Sequence, residues 1–210
     1  MAYTKGEIRG LVQTEVLVYL PTIRLDNRTI DYNVHRAELD VYKFYRDAQE
    51  EVFRTSVTVS NGASLPARFD IIANQAINTN DDSTATWLPV EEVPFRKTNQ
   101  YDLATPTSSS YTICNQLWLI LPNTETLTIW YYARPIDYSG DAFNISFEST
   151  MPDQLRYLVM LGAAKYCMQT LMTLPQQYQL SEQDLENAKL ALNIFGSQYQ
   201  RTQEANRRLS

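Results

Sequence analysis

Histidine is nearly absent from this chain: His35 is the only one in 210 residues. Acid–base and metal chemistry lean on imidazole, and with no second histidine one helical turn away the paired-histidine zinc pattern is excluded. Glycine is scarce too, six residues where average usage would supply roughly 15. No Gly-x-Ser-x-Gly elbow, phosphate-binding loop, dinucleotide fingerprint or Cys-x-x-Cys pair occurs. The two cysteines, Cys114 and Cys167, stand far apart in apolar stretches, which suits buried thiols in a reducing compartment better than a disulfide framework. The longest apolar run, Tyr157 to Ala164, is well short of the ~18 residues a membrane span needs. Near the N-terminus, Gln13, Thr14 and Glu15 interrupt the apolar pattern before a secretory core can form. The expectation is a protein made and assembled in the cytosol, with no membrane partner, no cofactor, no metal and no catalytic residues.

What is present is a foldable, acidic composition: 44% hydrophobic residues, 11% aromatic, and a formal net charge of −6. A chain of this length can bury roughly 70% of its unfolded surface, enough for one domain with an inserted subdomain or for two small domains sharing a core.

A helical signal runs from Lys5 to Tyr19, where Ile8, Leu11, Val12 and Val16 fall on one face. Thr4 and Glu7 form a capping-box pair at its start and Pro21 marks its stop. A polar connection, Arg24 to Asp31, then leads into a second helix over 34–54, with Val34, Ala37, Val41, Phe44, Tyr45, Ala48 and Val52 as its apolar stripe. The opposite face, Arg36, Glu38, Asp40, Lys43, Arg46, Asp47, Glu50 and Glu51, is mixed in sign and reads as solvated, with His35 on the helix surface. A third helix is expected over 151–173, N-capped by Thr150 and opened by Pro152 and Asp153. Its small residues Gly162, Ala163 and Ala164 signal close approach of neighbouring helices. A fourth, over 181–205, starts at Ser181 with Asp184 and carries the seam Leu185, Ala188, Leu192, Phe195 and Tyr199.

Between these helices the pattern changes to short alternating runs with turn residues, which reads as antiparallel β-structure. Val57 and Val59 make one strand; Phe69, Ile71 and Ala73 suggest another. The clearest hairpin joins Tyr111–Leu121 to Thr126–Arg134 through Pro122, Asn123 and Glu125. In its second strand Leu127, Ile129, Tyr131 and Ala133 face one way. Trp130 and Tyr132 face the other, a side too aromatic to be merely solvated, so it packs on a neighbour in this chain or another. The predicted fold is α+β: a four-helix bundle from 1–55 and 150–210, with helices near 5–19, 34–54, 151–173 and 181–205, and an inserted β-rich subdomain over 56–149.

Beyond Tyr199 the seam runs out at Thr202 and Asn206, while Arg201, Arg207 and Arg208 make the end basic in an acidic protein. Cations at a helix C-terminus favour the dipole, and a basic arm without a core face also suits docking on an acidic partner; both readings stand. The carboxylate pairs Asp81–Asp82 and Glu91–Glu92 have no positioned partner and read as a solvated turn and a Pro-bounded strand, with a cation site as the lesser alternative.

The stretch Met151-Pro-Asp-Gln-Leu-Arg-Tyr-Leu-Val-Met-Leu-Gly-Ala-Ala-Lys-Tyr-Cys167 resembles the helix that follows the β-block in head-to-tail adaptor proteins of short-tailed bacteriophages. Tyr111-Thr-Ile-Cys-Asn-Gln-Leu-Trp-Leu-Ile-Leu-Pro122 and Leu127-Thr-Ile-Trp-Tyr-Tyr-Ala-Arg-Pro135 resemble the strands before it. The likeness, to proteins of the tail-tubular-protein-A or crAss-like ring type, is strongest from Tyr111 to Met172. It implies a structural virion protein of the neck, a twelvefold homo-oligomeric ring beneath the portal protein, with helices toward the portal and the β-block toward the tail or further ring proteins. It also implies a C-terminal segment that reaches along the portal, making Tyr199, Arg201, Arg207 and Arg208 docking candidates. Trp130 and Tyr132, with Tyr101 and Pro106 of the Thr98–Ser110 loop, are then candidates for tail or neighbour contact. An acidic conduit would let packaged DNA slide through without specific binding. A tail-tube, terminator or other neck component would share the aromatic hairpin but not the terminal helices. A virion glycosidase would need two of Asp81, Asp82, Glu91 and Glu92 in an aromatic-lined cleft, and Trp87 is the only tryptophan close to them in sequence.

Overall fold

The structure is a computed structural model, and it describes residues 4–78, 91–92, 110–121, 126–136 and 151–207. The chain is α+β, with four helices and a small antiparallel three-stranded sheet among the described residues. It divides into two compact units, Met1–Ala48 with Pro135–Ser210, and Gln49–Arg134.

The first unit holds the helices. Helix α1, Lys5–Tyr19, begins at the expected capping box: the Thr4 amide donates to Glu7 Oε2 at 2.8 Å and the Glu7 amide to Thr4 Oγ1 at 3.3 Å. Ile8, Val12 and Val16 are buried, while Leu11 is 39% exposed and lies off the stripe. Helix α2, Asn27–Asp47, starts seven residues before the expected 34 and ends seven before 54. Asp26 is the reason for the early start, since its carboxylate accepts from the Thr29 amide at 2.8 Å and from the Thr29 hydroxyl at 2.6 Å. Asn27 to Asp31, the larger part of the polar run read as a connection, therefore form the first turn of the helix, and Arg24 to Asp26 precede it. The end comes at Ala48, followed by Gln49 at φ 60°, a left-handed residue that stops a helix without glycine. Val52 then lies in a short 3-10 turn, Glu51–Phe53.

Helix α3, Arg156–Thr173, follows a 3-10 turn at Asp153–Leu155, so the expected start near 151 is corrected; Thr150 lies outside the described residues. It packs against α1, α2 and α4, and its burial runs almost unbroken from Leu158 to Ala164. Helix α4, Glu182–Arg207, begins at the expected Ser181–Asp184 pair, in which the Asp184 amide donates to Ser181 Oγ at 3.1 Å and the Ser181 amide to Asp184 Oδ2 at 3.0 Å. The Ser181 hydroxyl, 2.6 Å from Asp184 Oδ2, and then the Ser181 amide hold the Asp184 carboxyl below its usual range, as the Thr4 bonds do for Glu7. Ala188, Ala191 and Phe195 are buried along the seam, and the Phe195 ring meets Tyr19 of α1 edge-on at 5.5 Å.

The second unit is built on strands. Strand β6, Thr126–Ala133, is central, with β1, Arg54–Ser60, and β2, Phe69–Asn78, antiparallel on either side. Val57 sits opposite Ile129 and Val59 opposite Leu127; β2 shifts register twice against β6, after Phe69 and after Ile72. The expected hairpin between Tyr111–Leu121 and Thr126–Arg134 is not formed. Instead the first run folds on itself as β4, Ser110–Cys114, and β5, Leu117–Leu121, through Asn115 and Gln116 at φ 50° and 63°. That left-handed pair is the geometry of a two-residue hairpin turn, here made without glycine. Strand β3, Glu91–Glu92, runs parallel to β4. Segment 62–65 is strapped to β5 through Gly62 to the Trp118 carbonyl at 2.7 Å and Trp118 to the Ala63 carbonyl at 2.8 Å. Trp118, Val59, Leu127 and Ile129 form this unit's core, with Phe69 edge-on to Trp118 at 5.5 Å.

Candidate docking surfaces

Tyr199 and Arg201 are two residues apart on α4 and so point to different sides of it. Tyr199 is turned inward. A Cβ placed on Gly162 would lie 3.0 Å from its Cε2 and 3.1 Å from the Ala37 Cβ, so α2 and α4 both approach α3 closely at this glycine. Burial pushes the Tyr199 phenol far above its ordinary range, with the nearby Asp40 charge adding to the effect. The Lys165 ammonium stands 5.4 Å from the ring centre, a cation over an aromatic face. Arg201 is exposed. Arg207 is the last helical residue, and Arg208 lies outside the described residues. The α-helix thus continues from Arg201 to Arg207, with Thr202, Gln203 and Asn206 half-buried.

Beside Tyr199 is a second aromatic. The Tyr166 hydroxyl donates to Asp40, and the Arg36 guanidinium lies 3.9 Å over the Tyr166 ring. Burial first, then the hydrogen bond to Asp40, pushes this phenol up to about 12. The helices are further tied by polar contacts between residues distant in sequence. Asn33 donates to Thr170 Oγ1 at 3.3 Å and to the Cys167 sulfur at 3.5 Å, and burial pushes that thiol up to about 12. A thiol so held is protonated and unreactive at neutral pH.

Two sequence expectations on α2 are corrected here. Glu38 belongs to the buried side, at 1% exposure, not to the solvated face. His35 is half-buried and stands 3.7 Å from the Glu38 carboxylate one turn on, so it is part of this packed side rather than of the helix surface. The i,i+3 spacing puts the two side by side, but the face they share is set by the helices packed against α2.

In the second unit, Trp130 is half-buried beneath Arg54, whose guanidinium carbon lies 5.0 Å from the ring centre. Tyr132 is 4% exposed, and burial raises its phenol even with Arg54 close by. The structure therefore brings Trp130 and Tyr132 to one strand and supplies Arg54 as a cover. Tyr101, Pro106, Asp81, Asp82 and Trp87 lie outside the described residues, while Glu91 and Glu92 form β3. Among the described residues no group of three or more His, Cys, Asp or Glu side chains is placed to share a metal ion, and no helix is long and apolar enough to cross a membrane.

The sequence reading missed the contacts that join α1 to α2 and α2 to α3. Arg9 to Asp31, Asn33 to Thr170 and Asp40 to Tyr166 pair residues 22 or more positions apart. The only local signal was a charged or polar residue inside an apolar stripe, which does not name its partner.

No curated protein matches the chain. The model of one family, described as SU10 adaptor protein, matches it over residues 6–209. A match across nearly the whole length spans both units, helical and β-rich alike. The chain therefore belongs to the SU10 adaptor protein family and is a phage structural adaptor.

Proposed function

We propose that the chain is a head-to-tail adaptor that forms a ring, twelvefold by resemblance, between the portal and the tail of a short-tailed phage. The four helices would act as a bundle against the portal, and the β-rich insert, residues 56–149, would face the tail or further ring proteins. The observation that carries this reading is the family match over residues 6–209. Three properties support it. The α3 core is tightly packed around Gly162, as a load-transmitting ring subunit requires. Arg201 presents a cation on a helical C-terminal segment that continues to Arg207, suited to reaching along a partner together with Arg208 while Tyr199 anchors the segment from within. The net charge of −6 suits a conduit that repels phosphate and lets the duplex slide. On this reading Trp130, Tyr132, Tyr101 and Pro106 belong to the end that meets the tail or a neighbouring copy. The chain acts by binding and not by catalysis, as a tail-tube or terminator component would also, but that alternative leaves the helical unit without a task.

The test is to mix the purified chain with its portal and image the product by electron microscopy. A further layer of density on the portal, with the copy number of the ring, is the expected result. A portal left bare at saturating chain would overturn the proposal.

A further inference from the structure

A groove of about 570 Å³ opens at the C-terminal end of α3, between Arg36 of α2 and Leu192 of α4. That is within the size range of sites that hold small ligands or a few side chains. Met172, Leu174 and Leu192 supply apolar wall, and Leu174 is 44% exposed where the helix stops. Gln169 and Thr173 add polar edges, and among the described residues Arg36 is the one charged residue in the lining.

Arg36 is set up to receive an anion. Its guanidinium carbon lies 3.9 Å from the Tyr166 ring centre, while Asp40, one turn on along the same helix, takes the Tyr166 hydroxyl. Among the described residues no carboxylate forms an ion pair with it. A guanidinium whose motion is already restricted by an aromatic neighbour loses little further freedom when it grips a carboxylate by two parallel bonds. A positive lining in a chain of net charge −6 is a local exception, and it sits directly beside aliphatic wall. Charge complementarity and the apolar wall together specify the occupant. We propose that this groove captures a short acidic segment of a partner protein, its carboxylate forked by Arg36 and a neighbouring aliphatic side chain set among Met172, Leu174 and Leu192. The groove holds this segment whether or not the chain forms a ring on a portal.

The probes are two capped peptides, Leu-Glu-Leu-Leu and Leu-Gln-Leu-Leu, titrated into the full ¹⁵N-labelled chain. The expected result is amide shifts clustered at Gln169, Thr173, Leu174 and Leu192, with the glutamate peptide binding at least tenfold more tightly. Arg36→Gln should remove that preference, and Arg36→Lys should restore only part of it, since an ammonium lacks the fork. If Arg36→Gln does not fold, the two peptides on the unaltered chain still decide. Equal binding of the two, shifts elsewhere, or none at millimolar peptide would overturn the proposal. So would concentration-dependent shifts at the same amides without peptide, which would make a second copy the occupant.

Discussion

The Arg9 guanidinium of α1 forks onto the Asp31 carboxylate of α2, with Nε at 2.9 Å from one oxygen and a terminal nitrogen at 2.5 Å from the other. Asp31 is 1% exposed. Taking one partner away strands a buried charge, whereas taking both away leaves an apolar contact. Arg9→Met should therefore destabilise by about 3–5 kcal/mol, and Arg9→Met with Asp31→Leu should regain most of the loss. Urea unfolding followed by helical circular dichroism measures both. A single variant as stable as the parent would show that the fork contributes nothing.

At Gly162 two effects oppose one another. Alanine gains about 1 kcal/mol of helix propensity, while overpacking costs about 1–3 kcal/mol. The added Cβ meets Tyr199 at 3.0 Å and the Ala37 Cβ at 3.1 Å, and the second of these is fixed to a helix backbone. The steric term wins, so Gly162→Ala lowers stability and Ala37→Gly in the same chain restores part of it. A stabilised Gly162→Ala would mean that the helices separate there at no cost.

The β4–β5 turn stores a cost that glycine would remove. Asn115 and Gln116 both have positive φ, and only the first is a residue type that tolerates it well. Gln116→Gly should stabilise the strand unit by about 1 kcal/mol. All three tryptophans lie in residues 49–134, so the fluorescence-detected urea midpoint reports this unit. An unchanged or lowered midpoint would count against the turn geometry.

Burial of Cys167 ties stability to pH. Its thiol is raised from 9.0 to about 12 in the folded chain, so the unfolded chain loses its proton first. Stability from this group is whole below pH 9 and falls as pH climbs toward 12. Tyr166, raised from 10.0 to about 12, adds a second loss that begins later. Cys167→Ala should flatten the urea midpoint between about pH 9 and 10 while keeping the later fall. With Cys114→Ser in the background, a thiol reagent at pH 8 should label Cys167 only after urea is added; rapid native labelling would contradict its burial.

Periodicity made α1, α2 and α4 legible because each carries an apolar face that repeats every three or four residues, while α3 was legible from its start signals and its nearly continuous apolar run. The ends of α2 were not legible. Asp26 is a better start signal than the polarity of Arg28 and Asp31 suggests, and the latter is buried because Arg9, far away in sequence, meets it. The strand pairing failed at Asn115–Gln116, where a tight turn has no glycine to announce it, so two strands read as one. Glu38 was misplaced because a charge on a helix reads as solvated unless its tertiary neighbours are known. The basic residues at the end of α4 were legible as a cluster, whereas the inward turn of Tyr199 depends on Gly162, a contact between two helices.

The central claim is that this chain joins the head to the tail. The most direct measurement is to produce the phage without it and image the particles. The account predicts DNA-packed or leaking heads that carry a portal and lack a tail, with tails restored when the chain is supplied in trans. Complete, infectious, tailed particles formed in its absence would contradict it.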